Sequence, residues 1–308
     1  MNPSQSTSRF AGSVRVDAPA KINLFLHVTG RRDDGYHLLE SFVVFTEVGD
    51  RIVVERADTI SLSIEGPFAA GLPDTGDNNL VLRAANALRD ACQVDAGARI
   101  FLEKNLPVSS GIGGGSADAA ATLRALAVLW NLDVTESQLA KIGISIGADV
   151  PVCLSARPSM MSGVGEIVTA AAPPPPGGVV LVNAREGVST PAVFSARTAP
   201  FSDAAGWDTP GAFDAFIAAL AVRKNDLSEP ARRVSPVISD VLAALEAGEE
   251  CALARLSGSG GTCFGLFSDI AFAGAAAQQI GAAHPDWWCV ATTFRDTPPT
   301  VLTGRGGG

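Results

Sequence analysis

Residues 107–118 read Pro-Val-Ser-Ser-Gly-Ile-Gly-Gly-Gly-Ser-Ala-Asp, with glycines at 111, 113, 114 and 115 directly ahead of an Ala- and Leu-rich run to Trp130. Backbone without Cβ atoms can bring its N–H groups against phosphate oxygens, and a helix starting there adds about half a positive charge at its N-terminus. Ser116 is placed to cap that helix or to bind a phosphate or metal. A flexible turn with a helix cap would share some of these letters. The dense glycines running at once into a strong helix, expected over about Ser116 to Trp130, point to phosphate instead. Two familiar loops do not fit. The glycines run into Ser116-Ala117 and not into Gly-Lys-Ser/Thr, and a dinucleotide fingerprint begun at Gly111 would put its third glycine at Ser116.

Three further segments stand out on either side of this loop. In Pro19-Ala-Lys21-Ile-Asn23-Leu-Phe-Leu26, Lys21 and Asn23 alternate with apolar residues and would project from one face of a strand. By itself that is weak, because an exposed strand lysine is ordinarily just solvated. Gly147-Ala-Asp149-Val-Pro151 sets a carboxylate in an otherwise uncharged stretch, which suits either a turn or chemistry. Leu256-Ser-Gly-Ser-Gly-Gly-Thr262 is a second glycine loop that opens onto a strand, and a tight turn would account for it equally well.

The first third of the chain reads as short strands (14–17, 22–28, 40–47, 51–56 and 60–64), rich in Val, Ile and Phe, with the charged loop Gly30–Gly35 between two of them. Helical spacing follows over 78–91, 136–146, 212–222, 234–245 and 270–282, and strands over 100–102, 179–182, 263–267 and 288–293. The Pro173–Pro176 run before Gly177-Gly178 favours a domain boundary nearby. Strands and helices are mixed and do not strictly alternate, so the fold class is α+β.

At 308 residues the chain has room for two domains, and 47% hydrophobic with 18% charged residues is ordinary globular composition. Lys and Arg number 23 against 32 Asp and Glu, a net charge of −9 with no basic block, so neither nucleic acid nor a membrane is the expected partner. A phosphorylated small molecule needs only local positive charge. The polar start, Met1 to Ser13, lacks the apolar core of a secretory signal and reads as a disordered leader, and the closing GRGGG reads as frayed. Five scattered cysteines without a C-x-x-C pair, and three histidines, argue for reduced thiols in a cytoplasmic protein over a zinc site.

Together these segments resemble the GHMP kinases (galactokinase, homoserine, mevalonate and phosphomevalonate kinases). The three signature regions occur in order and the likeness spans about residues 14–295. The first region, APAKINLFLHVTGRRDDGYHLLES over 18–41, resembles the branch whose acceptor is a cytidine diphosphate-linked methylerythritol. Asp77–Ala84, Ile146–Pro151 and Asn225-Asp-Leu227 support it. Ala117 stands where many relatives carry a second Ser, and Gly261 where Ala or Ser is common.

The resemblance implies a two-domain GHMP kinase fold with the active site in the interdomain cleft. A leader would occupy 1–12, an N-terminal domain with the ATP loop and catalytic residues 13–170, and a C-terminal domain 171–308. ATP would be held by Pro107, Val108, Ser109, Ser110, Gly111, Ile112, Gly113, Gly114, Gly115, Ser116 and Ala117, with Gly111–Ser116 wrapping the phosphates and Mg²⁺ accompanying them. Asp149 would be the catalytic carboxylate and Lys21 its partner. Asn23, Tyr36 and His37 fall on substrate-binding positions, and Phe194 on a second stacking face for the cytosine. The expected product is the 2-phosphate, made by a monomer or weak homodimer in isoprenoid precursor synthesis. Another GHMP acceptor, or a scaffold with lost chemistry, are the competing readings. The GRRDDGYH segment opposes the first, and the retention of Lys21, Asp149 and the loop glycines opposes the second.

Overall fold

The computed structural model describes residues 12–72 and 78–304; the expected leader up to residue 11, Asp77, and residues 305–308 of the tail expected to fray lie outside the described residues. Its spine is an antiparallel hairpin of two long strands, β1 (Val14–Arg31) and β2 (His37–Ala57), where the sequence suggests four shorter strands. The apparent breaks cancel across the ladder. Ala18 pairs with Asp50 and Pro19 with Gly49, so the residue without an N–H faces the residue without a side chain. A Cβ on Gly49 would sit 2.3 Å from the Ala18 carbonyl oxygen, which explains why glycine stands there.

The ladder slips between Pro19 and Lys21, and the slip reverses the faces of β1. Val14, Val16 and Ala18 bury against the helices, whereas Ala20, Ile22 and Leu24 bury in a separate core shared with Val179, Leu181, Phe264 and Leu266. Lys21 and Asn23 are thereby turned toward the glycine loop.

In chain order there follow β3 (Ser61–Glu65), α1 (Leu80–Cys92), β4 (Gly97–Glu103), α2 (Gly114–Leu129), α3 (Glu136–Ile146), α4 (Val150–Ser155), β5 (Ser159–Gly163) and β6 (Ile167–Ala170). The Asn79 side chain accepts the Val81 N–H at the start of α1, and Thr135 with Gln138 forms a capping box on α3. One edge of β2 pairs with β1, while its other edge is divided between β5 over 39–43 and β4 over 51–57. The helices α1 to α4 cover this sheet through Leu88, Ala120, Leu123, Leu126 and Leu154, all buried. Each such leucine contributes about 1.5–3 kcal/mol on leaving water.

The rest of the chain is β7 (Gly178–Asn183), α5 (Thr190–Ser195), α6 (Phe213–Ala221), α7 (Ser228–Val234), α8 (Val237–Glu246), β8 (Leu253–Leu256), β9 (Thr262–Phe267), α9 (Ile270–Ala283) and β10 (Trp288–Thr292). The second sheet has strand order β10-β7-β9-β8. Its strands obey period two: Val180 and Val182 face α7 to α9, and Val179 and Leu181 face the core between the sheets. After β10 the chain returns to the first sheet as β11 (Phe294–Arg295), on β2, and β12 (Leu302–Thr303), on β1. Among the described residues no helix is long and apolar enough to cross a membrane.

Candidate functional site

The glycine loop is clamped from both sides. Gly113, at φ +64°, is the residue before α2, and a Cβ there would approach the Lys21 side chain to 3.1 Å. Gly111 is also left-handed, at φ +74°, and lies against the second glycine loop, where Thr262 donates its N–H to the Ser110 carbonyl at 2.9 Å. The Lys21 N–H donates to the Ile112 carbonyl at 2.9 Å. The Ser257 hydroxyl joins all three segments, accepting the Asn23 N–H and donating to the Gly111 carbonyl, each at 3.2 Å. Segments that look independent in the sequence therefore form one structure.

Two cavities meet at this loop. One, of about 680 Å³, runs along Pro107 to Ser110, the N-terminal end of α1 and Leu72. The other, of about 990 Å³, holds Lys21, Asn23, Tyr36, His37, Asp149 and Phe194. Gly111, Gly113, Ser116 and Thr190 line both. Of the residues expected to hold ATP, Ile112 and Ala117 line neither cavity, because their side chains are buried in the cores beneath.

In the second cavity the Lys21 ammonium stands 2.9 Å from an Asp149 carboxylate oxygen and donates to the Asn23 amide oxygen at 3.2 Å. Lys21 is 4% exposed while the Asp149 side chain is 34% exposed, so the cation is held from beneath and the carboxylate opens to the cavity. The Asn23 amide is fixed in turn, donating to the Ser41 hydroxyl at 2.8 Å. Asp149 immediately precedes α4, a short helix with Pro151 in its first turn that the sequence did not announce.

The aromatic residues sit on the other side of the second cavity. His37 stacks on Phe194, ring centroids 4.9 Å apart and 26° between planes, while Tyr36 is 65% exposed. The Tyr36 N–H donates to the Asp34 carboxylate in the turn between β1 and β2. Burial lowers the His37 imidazole pKa, and the guanidinium groups of Arg31 and Arg197 push it the same way.

One constellation escaped the sequence reading. Lys104, 2% exposed, is bound at 2.5 Å to Asp50 and at 2.6 Å to Asp118 beneath Gly114, and the other Asp50 oxygen accepts the Asn105 and Leu106 N–H groups. Burial pushes the Asp118 carboxyl up to about 8. The network ties the end of β4 to the first turns of α2 and so sets the entry and exit of the glycine loop. Asp118 alone interrupts an otherwise apolar run; Asp50 stands next to Arg51 and Lys104 next to Glu103, so in the sequence both look like ordinary surface charges.

Comparison with known proteins shows the family. The family model described as GHMP kinases N terminal domain matches residues 79–157, and that described as GHMP kinases C terminal matches 211–285. The chain is 52% identical over 277 residues to 4-diphosphocytidyl-2-C-methyl-D-erythritol kinase of Paramagnetospirillum magneticum, covering 90% of this chain and 96% of that one. It is 47% identical over 282 residues to the protein of the same name from Rhodospirillum rubrum, covering 91% and 92%. A crystal structure of 4-(cytidine 5'-diphospho)-2C-methyl-D-erythritol kinase superposes with TM-score 0.73 at 35% identity, covering 91% of this chain and 98% of that one. Homoserine kinase from Cytophaga hutchinsonii superposes equally well at TM-score 0.73 but 15% identity, covering 94% and 98%, and shares the fold alone.

Proposed function

This chain belongs to the GHMP kinases and, within them, to the 4-diphosphocytidyl-2-C-methyl-D-erythritol kinases, and from that membership we infer that it transfers the γ-phosphoryl group of ATP to the 2-hydroxyl of 4-diphosphocytidyl-2-C-methyl-D-erythritol. The observation that carries the residue roles is the Lys21–Asp149 pair, at 2.9 Å, lining the second cavity with Lys21 against Gly113, a residue that borders both cavities. ATP takes the cavity along Pro107 to Ser110, with its phosphates on the N–H groups of Gly111 to Ser116. The cytidylyl acceptor takes the other cavity.

Phosphoryl transfer asks the protein chiefly for positioning and for charge stabilisation. A tertiary alcohol is a weak and crowded nucleophile, so a base aimed at it helps. Asp149 accepts the hydroxyl proton as the oxygen bonds to phosphorus and the bond to ADP breaks; the proton then passes to solvent through the open side of the carboxylate. Lys21 holds the Asp149 carboxylate in place through their ion pair, and Asn23 holds Lys21 from its other side. Tyr36 offers the cytosine a ring face at the cavity rim, and His37 with Phe194 lines the same cavity.

Mg²⁺ fits this site as an ion carried mainly on the donor's phosphates. Among the described residues no cluster of three or more His, Cys, Asp or Glu forms a ready-made cage, and Mg²⁺ with nucleotides commonly takes only one or two protein oxygens. The Ser116 hydroxyl, at the shared edge of both cavities, is the group to hold it. When bound, the ion neutralises charge on the transferring phosphate.

The test is ADP release with Mg·ATP and four acceptors: the cytidylyl methylerythritol, free methylerythritol 4-phosphate, homoserine and mevalonate. Turnover confined to the first, and lost in Asp149→Asn, is expected. Turnover with another acceptor would overturn the substrate assignment, and silence with all four despite ATP binding would overturn the kinase.

A further inference from the structure

The second cavity contains more positive charge than the pairs around Asp149 use. Besides the Tyr36 phenol, six ionisable side chains line it: Lys21, Arg31, Asp34, His37, Asp149 and Arg197. Asp149 is matched by Lys21 at 2.9 Å, and Asp34 by Arg32, outside the cavity, at 2.7 Å. Arg31 and Arg197 are left over. Among the described residues neither has a carboxylate within ion-pair distance, in a chain whose net charge is −9.

Neutral partners hold both groups in place. Arg31 donates its Nε–H to the Gly35 carbonyl at 3.1 Å, which braces the turn carrying Tyr36. Arg197 donates to the Pro200 carbonyl and lies over the Phe201 ring at 5.1 Å, with its Nε buried and unpartnered. Each guanidinium keeps its charge while giving up freedom, as suits a preorganised anion site. Both line one cavity with His37 and Phe194, and both lower the His37 pKa.

We propose that Arg31 and Arg197 form the diphosphate subsite of the acceptor, one guanidinium to each side of the bridge that links cytidine to methylerythritol. The proposal rests on the acceptor assigned above. The base lies against the aromatic residues and the polyol at Asp149, so the diphosphate must run between them, past the unpaired cations. Two fixed forks make the diphosphate a recognition element and not a passive linker, and they exclude an acceptor that lacks it.

The probes are CDP and cytidine, titrated calorimetrically in EDTA with the donor site saturated by a non-hydrolysable ATP analogue. The wild-type protein binds CDP at least about tenfold more tightly than cytidine, the size expected for charge-assisted hydrogen bonds. Arg197→Met removes most of that ratio and leaves cytidine affinity in place, which certifies the fold of the pocket; Arg31→Met, which also loses the brace under Tyr36, is read by the fall in the CDP-to-cytidine ratio alone. Arg31→Gln and Arg197→Gln, which keep a donor without the charge, give the same loss where the Met variants fold poorly. Raising KCl lowers the wild-type preference for CDP without touching cytidine. A ratio that survives both substitutions, or ignores salt, overturns the clamp while leaving the kinase assignment standing. A wild-type protein that binds neither probe, and turns over no cytidylyl acceptor, overturns the acceptor assignment and the clamp with it.

Discussion

Gly111 and Gly260 meet so closely that a Cβ on Gly111 would lie 2.4 Å from the Gly260 carbonyl oxygen, with the Ser257 carbonyl 2.7 Å away. Both obstacles are backbone, so neither can swing aside, and Gly111 holds φ +74° besides. Gly111→Ala should push the two glycine loops apart by a fraction of an ångström to an ångström. Misplacement of that size costs about 10²-fold in kcat/KM where catalysis depends on positioning. The loss should be read against ATP in steady-state kinetics, and a variant within threefold of wild type would show that the contact between the loops does not set phosphate geometry.

Asp149→Asn should fold, since the side chain is one-third open and its partner Lys21 keeps the bond to Asn23. ATP affinity should stay close to wild type while kcat drops at least ~10²-fold, the usual contribution of a general base. Near-normal turnover would remove Asp149 from that role.

Tyr36→Ala removes an aromatic ring that is 65% exposed and makes no ring contact with its neighbours among the described residues, so stability should hardly change. A base stacked on an aromatic side chain is worth ~1–3 kcal/mol, so KM for the cytidylyl acceptor should rise roughly 5- to 150-fold. An unchanged KM would move the cytosine elsewhere in the cavity.

His27 gives the fold a pH dependence of definite sign. Burial lowers its pKa below the ordinary 6.5, with Arg223 and Lys224 adding to the shift while Asp226 and Glu40 oppose it. The folded state thus keeps the imidazole neutral where the unfolded chain binds a proton. Stability from this group is intact above pH 6.5 and is lost as pH falls below it. The melting temperature should fall between pH 7 and 5.5, and less steeply in His27→Gln. Parallel curves for the two proteins would contradict this account.

Much of the site was legible because its chemistry lies in short contiguous segments. The loop Gly111–Ser116, the alternation of Lys21 with Asn23, and Asp149 before Val-Pro all stand where local patterns put them. What local patterns could not give were features created by pairing. The breaks at Pro19 and Gly49 vanish because each occupies the other's weak point across the ladder. The Lys104 network is invisible because Asp50, Lys104 and Asp118 meet only after β2, β4 and α2 have packed. Phe194 lies on a short helix with few local signals, and its stacking partner, His37, belongs to a distant strand.

The Ser257 hydroxyl also makes the glycine loop depend on the far end of the chain. It bonds Asn23 across 234 residues and Gly111 across 146. A ribosome-bound chain that has displayed the whole of the first sheet's hairpin, the glycine loop and Asp149 still has no second loop against which to set the phosphates. Contacts of such long sequence separation form late and slowly. The phosphate loop therefore reaches its final shape only once residues 257–262, near the far end of the chain, have packed against it.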